Sequence, residues 1–141
     1  MKKIIIFFII VIILICFIAI KYYNYKINYN NVVNLNSEYE QYLNKEIQGV
    51  ELASLINKTI DKNKKNDIEQ NDNGEFIQND KNSIEIEIYI KDNETTYKME
   101  KIYKGGTENF VQYYGDIKFE CTKKEYHSKT KQIKYMLFEQ K

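Results

Sequence analysis

The sequence contains no proline, no tryptophan and no arginine, and it has a single histidine among 141 residues. Arginine is the side chain best suited to bidentate contacts with phosphate and guanine, and the formal net charge is only +1. Nucleic-acid binding is therefore not expected. The one histidine also limits the general bases that are available for catalysis.

Cysteine is almost as scarce, since the chain contains only Cys16 and Cys121. Cys16 lies in an apolar segment and Cys121 in a polar one, so the two lie on different sides of a membrane boundary and cannot pair. A small domain without a disulfide depends on its packing, its anchor or neighbouring copies. Self-association is thus one expected kind of protein contact.

The most distinctive feature that is present is an uncharged run near the start. Residues 4–20 read IIIFFIIVIILICFIAI, and as a helix they would span roughly 25 Å, close to the ~30 Å of a hydrocarbon core. The flanks add residues that favour the interface, namely Lys2, Lys3, Lys21, Tyr22, Tyr23, Tyr25 and Tyr29. We expect a transmembrane anchor over residues 1–21 that contacts membrane lipid through residues 4–20.

A cleaved signal peptide and a lipid-modified Cys16 are the alternatives for this segment. The run exceeds the usual ~7 to 15 apolar residues of a signal peptide, and no small-x-small site follows it. Ile15 stands where lipidation requires a small residue. A short tail stays inside more easily than it crosses, so we expect a single-pass protein of the cell membrane with a cytoplasmic N-terminus and an extracellular C-terminal domain.

Residues 22–36 are expected to form a juxtamembrane stalk or a helical extension of the anchor, and residues 37–141 one small soluble domain. Ser37 and Glu40 have the spacing of a capping box, which predicts a helix over residues 38–62 with an apolar stripe. Gly49 falls inside this predicted helix and indicates either close backbone packing or a local break.

The remaining patterns predict two β-hairpins. Ile84, Ile86, Ile88 and Ile90 alternate with polar residues, and a second strand is expected over residues 95–103, followed by a turn at Gly105 and Gly106. Thr107 can cap a short helix over residues 108–114, and alternation around Ile117 and Ile133 predicts the second hairpin. The fold class is therefore α+β: an N-terminal transmembrane helix, then a long amphipathic helix packed on a four-stranded antiparallel sheet.

Catalytic chemistry is not expected, because the candidate groups are separated. Cys121 and His127 are six positions apart, roughly 20 Å along an extended strand at ~3.3 Å per residue, and His127 is expected in the loop of the second hairpin, around residues 127–130. The pattern makes Cys121 a small buried side chain and His127 a solvated one. Glu85 and Glu87 fall on the solvent face, where nothing is expected to raise the pKa of either carboxyl group. We predict no catalytic residue and no cofactor.

A polar loop carries the one candidate for a metal site. Glu69, Asn71 and Asn73 place oxygen donors at alternate positions before a glycine, and Asp80 follows. This spacing resembles half of a calcium loop, although a glutamate stands at its first position and an aspartate at its last. The two interpretations of residues 69–80 are an ion-responsive loop and a flexible loop with a turn at Asn73 and Gly74.

Residues Gly49–Lys58, which read GVELASLINK, resemble a segment of small single-span proteins of low-GC Gram-positive bacteria. The order of an apolar helix, an amphipathic helix and an antiparallel sheet also resembles pilins and pseudopilins. No glycine precedes Gly49 and residues 4–20 contain no acid, so a prepilin cleavage site is not expected. The resemblance implies an assembly role at the outer face of the membrane and transfers no functional residue.

Together these features predict a membrane-anchored, non-enzymatic interaction or assembly protein, such as an accessory subunit of a surface or secretion apparatus. Its partner would be another protein or a second copy of the chain. The alternative is an ion- or ligand-responsive membrane accessory protein that uses the loop at residues 69–80.

Overall fold

The computed structural model describes residues 2–141, with side chains from Ile4 onward, and shows an α+β chain. The helices are α1 (Lys2–Leu43), α2 (Gly49–Lys65), α3 (Met99–Lys104) and α4 (Thr107–Tyr114); the strands are β1 (Glu46–Gln48), β2 (Glu85–Ile90), β3 (Thr95–Lys98), β4 (Lys118–Tyr126) and β5 (Ile133–Gln140). The chain divides into two compact units, one ending at Asn34 and the other Leu35–Lys141.

The capping box predicted at Ser37 is wrong, because Ser37 lies inside α1. The chain has no proline, and its first glycine is Gly49, so nothing interrupts helical hydrogen bonding through the polar residues 22–36. In the second unit the last turns of α1 bury Leu35, Tyr39 and Leu43 in the core.

The predicted helix over residues 38–62 is in fact two helices separated by β1. Ile47 continues the helical spacing of apolar residues, yet it is buried on β1 opposite Phe119. A capping box between Gln48 and Glu51 starts α2. The amide of Gly49 donates to the Ile117 carbonyl at 2.9 Å. A Cβ at Gly49 would overlap the Tyr114 carbonyl, so Gly49 marks both a break and a close backbone approach.

The sheet has five strands in the order β1-β4-β5-β2-β3 and is mixed, so the predicted four-stranded antiparallel sheet is wrong. Both predicted hairpins are present as antiparallel pairs, β2 with β3 and β4 with β5. The hairpins meet through β2 and β5, which run parallel. The second predicted strand is also shorter, because residues 99–104 form α3.

The core lies between α2 and one face of the sheet. The four isoleucines of the predicted alternation at positions 84, 86, 88 and 90 are all buried. Parallel pairing sets Ile86 beside Met136 and Ile88 beside Phe138. The buried side of α2 contributes Leu52, Leu55, Ile56 and Ile60 to the same core. Burial of each such side chain stabilises the fold by about 1.5 to 3 kcal/mol.

Candidate functional site

The first unit presents an exposed apolar helix surface. Side chains from Ile4 to Ile20 are mostly more than half exposed. The most apolar stretch of α1 has a mean hydropathy of 3.4, and none of its residues is buried. A water-soluble surface rarely exposes so large an apolar area. By length and composition, α1 is able to cross a membrane once.

The second unit carries an apolar groove of about 260 Å³, which we call the α3–α4 groove. It lies between the last residue of β2, strand β3 and the two short helices. Its apolar walls and floor are formed by Ile90, Tyr97, Ile102, Phe110, Tyr113 and Tyr114. Ile90 and Phe110 are buried, whereas Tyr113 is 74% exposed at the rim. A concave aromatic surface of this kind is a typical binding site.

Two glycines shape the groove by turning the chain between its helices. Gly105 ends α3, with its amide bonded to the Lys101 carbonyl at 3.1 Å. Gly106 precedes α4 and has φ +87°, a backbone conformation that would be strained for a residue with a side chain. Its carbonyl accepts from the amides of Asn109 and Phe110. The tight connection brings Ile102 and Phe110 to the same groove without a side chain between them.

Among the described residues, one charged side chain lines the groove, that of Lys101. Its Nζ lies 4.8 Å from the centre of the Tyr97 ring, a cation–π contact that holds the ammonium group at the mouth. Lys101 forms no ion pair with any carboxylate in residues 4–141. The groove thus combines an aromatic floor with an available cation.

The candidate calcium loop is closed by its own hydrogen bonds. The side-chain oxygen of Asn71 accepts from the Glu75 amide at 2.9 Å, and the Glu69 carbonyl accepts from Ile77 at 2.8 Å. The Asn73 carbonyl accepts from Lys104. The expected turn is present, with Gly74 at φ +67°. In the described part of the chain, no three His, Cys, Asp or Glu side chains form a metal-binding group.

Asp80, the last residue of that candidate site, lies in an exposed turn before β2. The turn is organised by Asn79, whose side-chain oxygen accepts from the amides of Lys81, Asn82 and Ser83 at 2.9 to 3.1 Å. The segment after α2 is therefore a hydrogen-bonded connection that leads into β2.

The two residues considered as a nucleophile and base have separate partners. His127 was expected to be solvated but is 2% exposed, and its Nε2 lies 2.7 Å from the Ser83 carbonyl. Cys121 is half-buried, and its Sγ donates to the Lys123 carbonyl at 3.4 Å. Burial raises the pKa of the Cys121 thiol, which disfavours the nucleophilic thiolate.

The prediction that nothing raises the pKa of the Glu85 carboxyl group is wrong. Burial, followed by repulsion from Glu87, raises the pKa of the Glu85 carboxyl group. Glu87 accepts a hydrogen bond from Tyr135 at 2.7 Å, and burial together with this carboxylate raises the pKa of the Tyr135 hydroxyl. Glu100 is only 4% exposed, and its Oε1 accepts from the Phe76 amide at 3.2 Å. Glu85, Glu87 and Tyr135 therefore form a partly buried polar group on the sheet face opposite α2.

Sequence reasoning missed the α3–α4 groove because it extended β3 through residue 103. Gly105 and Gly106 were expected to form the turn after that strand, with Thr107 as the cap of the next helix. Gly106 is in fact the N-cap of α4, and Thr107 is the first residue of that helix. The available signal was Met99–Lys104, where Met99 and Ile102 are three positions apart, a helical rather than an alternating spacing.

No protein-family model, curated protein or solved structure matches this chain.

Proposed function

We propose that this chain is a membrane-anchored, non-enzymatic interaction or assembly protein that binds a protein partner through the α3–α4 groove. The observation that carries the proposal is the combination of an apolar, exposed α1 surface with a solvent-open aromatic groove in the second unit. The anchor would hold the domain at the membrane, and the groove would provide the contact.

The lining of the groove supports a protein contact. Tyrosine and phenylalanine are enriched at protein interfaces because each buries a large area at little cost in side-chain entropy. Tyr97, Phe110, Tyr113 and Tyr114 all reach this one groove. The Phe110 and Tyr114 rings lie 5.3 Å apart, so this part of the surface is already packed before a partner binds.

We further propose that the N-terminus is cytoplasmic, that the domain is extracellular and that the partner belongs to a surface or secretion assembly. The resemblance of Gly49–Lys58 to single-span proteins of low-GC Gram-positive bacteria supports the setting. In the fold this segment is most of α2, whose buried residues form the core, so it supports a shared domain plan and no shared binding residue.

Photocrosslinking in intact cells tests the proposed contact. A benzophenone amino acid replaces Tyr113 at the groove rim, and a matched variant carries it at Tyr126 on β4, which is 40% exposed and lies outside the groove. The proposal expects a discrete adduct at position 113, identified by mass spectrometry as a membrane or envelope protein or a second copy, and none at position 126. Recovery of the monomer alone at position 113 would contradict it.

A further inference from the structure

The size of the α3–α4 groove limits its occupant. A volume of about 260 Å³ holds roughly nine waters at ~30 Å³ each and lies just below the ~300 to 1,000 Å³ of pockets that enclose whole small molecules. The floor is apolar, since Ile90 and Phe110 are buried there. One large apolar side chain matches this space better than a whole cofactor does.

The charge of the groove adds a second requirement. Lys101 is positioned over the Tyr97 ring at the mouth and has no carboxylate partner within residues 4–141. A bound carboxylate would complete this pair at the edge of an apolar surface, where water screens the charges less than in bulk solvent. We propose that the groove binds a polypeptide segment that presents a large apolar side chain next to a carboxylate. This inference rests on the proposed protein-binding function and specifies its partner.

The sheet edge favours a polypeptide over a lipid. Tyr97 lines the groove and also belongs to β3, which is the terminal strand of the sheet. The outer edge of β3 pairs with no other strand of the described chain. An extended segment can hydrogen-bond to such an edge while one of its side chains enters a neighbouring pocket. An acyl chain has no main-chain groups with which to use this edge.

The glycines provide a direct way to observe binding. The chain has five, of which Gly105 and Gly106 line the groove and Gly49, Gly74 and Gly115 do not. The full-length chain labelled with ¹⁵N-glycine in lipid nanodiscs therefore reports groove occupancy, and Gly74 is the internal control. The probes are N-acetyl-L-phenylalanine, which carries a carboxylate, and its uncharged amide, which has the same side chain.

Two lysine variants isolate the role of the charge. Lys101→Gln removes the cation at the groove. Lys64→Gln is the matched control, because Lys64 also lies 4.8 Å from a tyrosine ring, that of Tyr103, but does not line the groove. We expect saturable shifts of Gly105 and Gly106, with the acid binding about threefold more tightly than the amide, as for a partly exposed ion pair. The preference should disappear in Lys101→Gln and persist in Lys64→Gln.

Three outcomes would overturn the inference. Equal titration midpoints for the acid and the amide in the native chain would show that the groove does not select a carboxylate. Absence of shifts at Gly105 and Gly106 would show that the groove does not bind these ligands. Saturation by decanoate at a lower concentration than by the aromatic acid would make the occupant an acyl chain. A crosslinked partner at Tyr113 together with equal midpoints would leave the proposed function standing and reject only this inference.

Discussion

The side-chain amide of Asn63 pairs with both main-chain groups of Ile84. Its Nδ2 donates to the Ile84 carbonyl at 2.7 Å, and its Oδ1 accepts from the Ile84 amide at 2.9 Å. Both residues are fully buried. Asn63 lies on α2 and Ile84 directly precedes β2, so one side chain satisfies main-chain groups that would otherwise be buried without partners.

Replacement of Asn63 by leucine is expected to lower the free energy of unfolding by about 2 to 4 kcal/mol, because two buried main-chain groups lose their partners. The matched control is Asn66→Ala, which removes one part-buried hydrogen bond to the Asn82 carbonyl and should cost about 1 kcal/mol. Urea unfolding of the full chain in mild detergent measures both variants. Equal losses for the two would contradict the assigned role of Asn63.

Gly49 and Gly105 form a second matched pair. An alanine Cβ at position 49 would overlap the Tyr114 carbonyl, and main-chain atoms there cannot move aside cheaply. Gly49→Ala should therefore cost about 3 kcal/mol or more. At position 105 the nearest atom is 3.4 Å away, an ordinary contact, so Gly105→Ala should change stability by less than about 0.5 kcal/mol. Thermal unfolding that ranks the two variants in the opposite order would refute the close approach of Gly49.

Glu85 gives a prediction that depends on pH. Burial raises the pKa of its carboxyl group, so folding favours the protonated form, and this contribution is lost as the pH rises from below the unfolded pKa through the folded one. Glu85→Gln should consequently stabilise the protein at pH 7, by less than about 1 kcal/mol because the group is only half-buried. At pH 4 the gain should shrink.

Glu125→Gln is the control for this experiment. Lys123 lies 2.9 Å from Glu125 and lowers the pKa of its carboxyl group, so its contribution has the opposite sign and is lost as the pH falls. Relative to the native chain, the melting temperature at pH 7 should therefore rise for Glu85→Gln and fall for Glu125→Gln. Both differences should be smaller at pH 4. A gain from Glu85→Gln that is equal at both pH values would show that ionisation is not its cause.

Calcium is expected to leave the melting temperature unchanged up to about 10 mM, above the ~1 mM dissociation constants of weak extracellular sites. The reason is that the Asn71 side-chain oxygen and the Asn73 carbonyl already accept hydrogen bonds from Glu75 and Lys104. A rise in melting temperature with calcium, abolished by Glu69→Gln, would instead support the ion-responsive interpretation of residues 69–80.

Local patterns in the sequence were sufficient for some elements and not for others. The alternation from Ile84 to Ile90 predicted β2, and the apolar run predicted the first part of α1. The pairing of β2 with β5 was not predictable in this way, because alternation shows which face a residue occupies and not which strand lies beside it. The helical spacing of apolar residues likewise continues through Ile47, although the helix is interrupted there. The interruption arises because Ile47 pairs with β4, which local spacing does not reveal.

The candidate site shows the same limit. Gly105 and Gly106 correctly marked a chain reversal, but the groove depends on Tyr97, Ile102 and Phe110 meeting from three different elements. His127 was correctly placed in a polar connection between strands. Its burial depends on the Ser83 carbonyl, 44 positions away, which a local pattern does not reveal.

Protease treatment of intact cells that carry a C-terminal epitope tag, combined with alkaline extraction of their membranes, tests the anchored domain most directly. We predict that the untreated chain runs at its full 17.0 kDa plus the tag, stays with the membrane at alkaline pH and loses the tag to protease. A shortened band or release from the membrane would contradict the anchor. A protected tag would place the domain in the cytoplasm and contradict a role in a surface assembly.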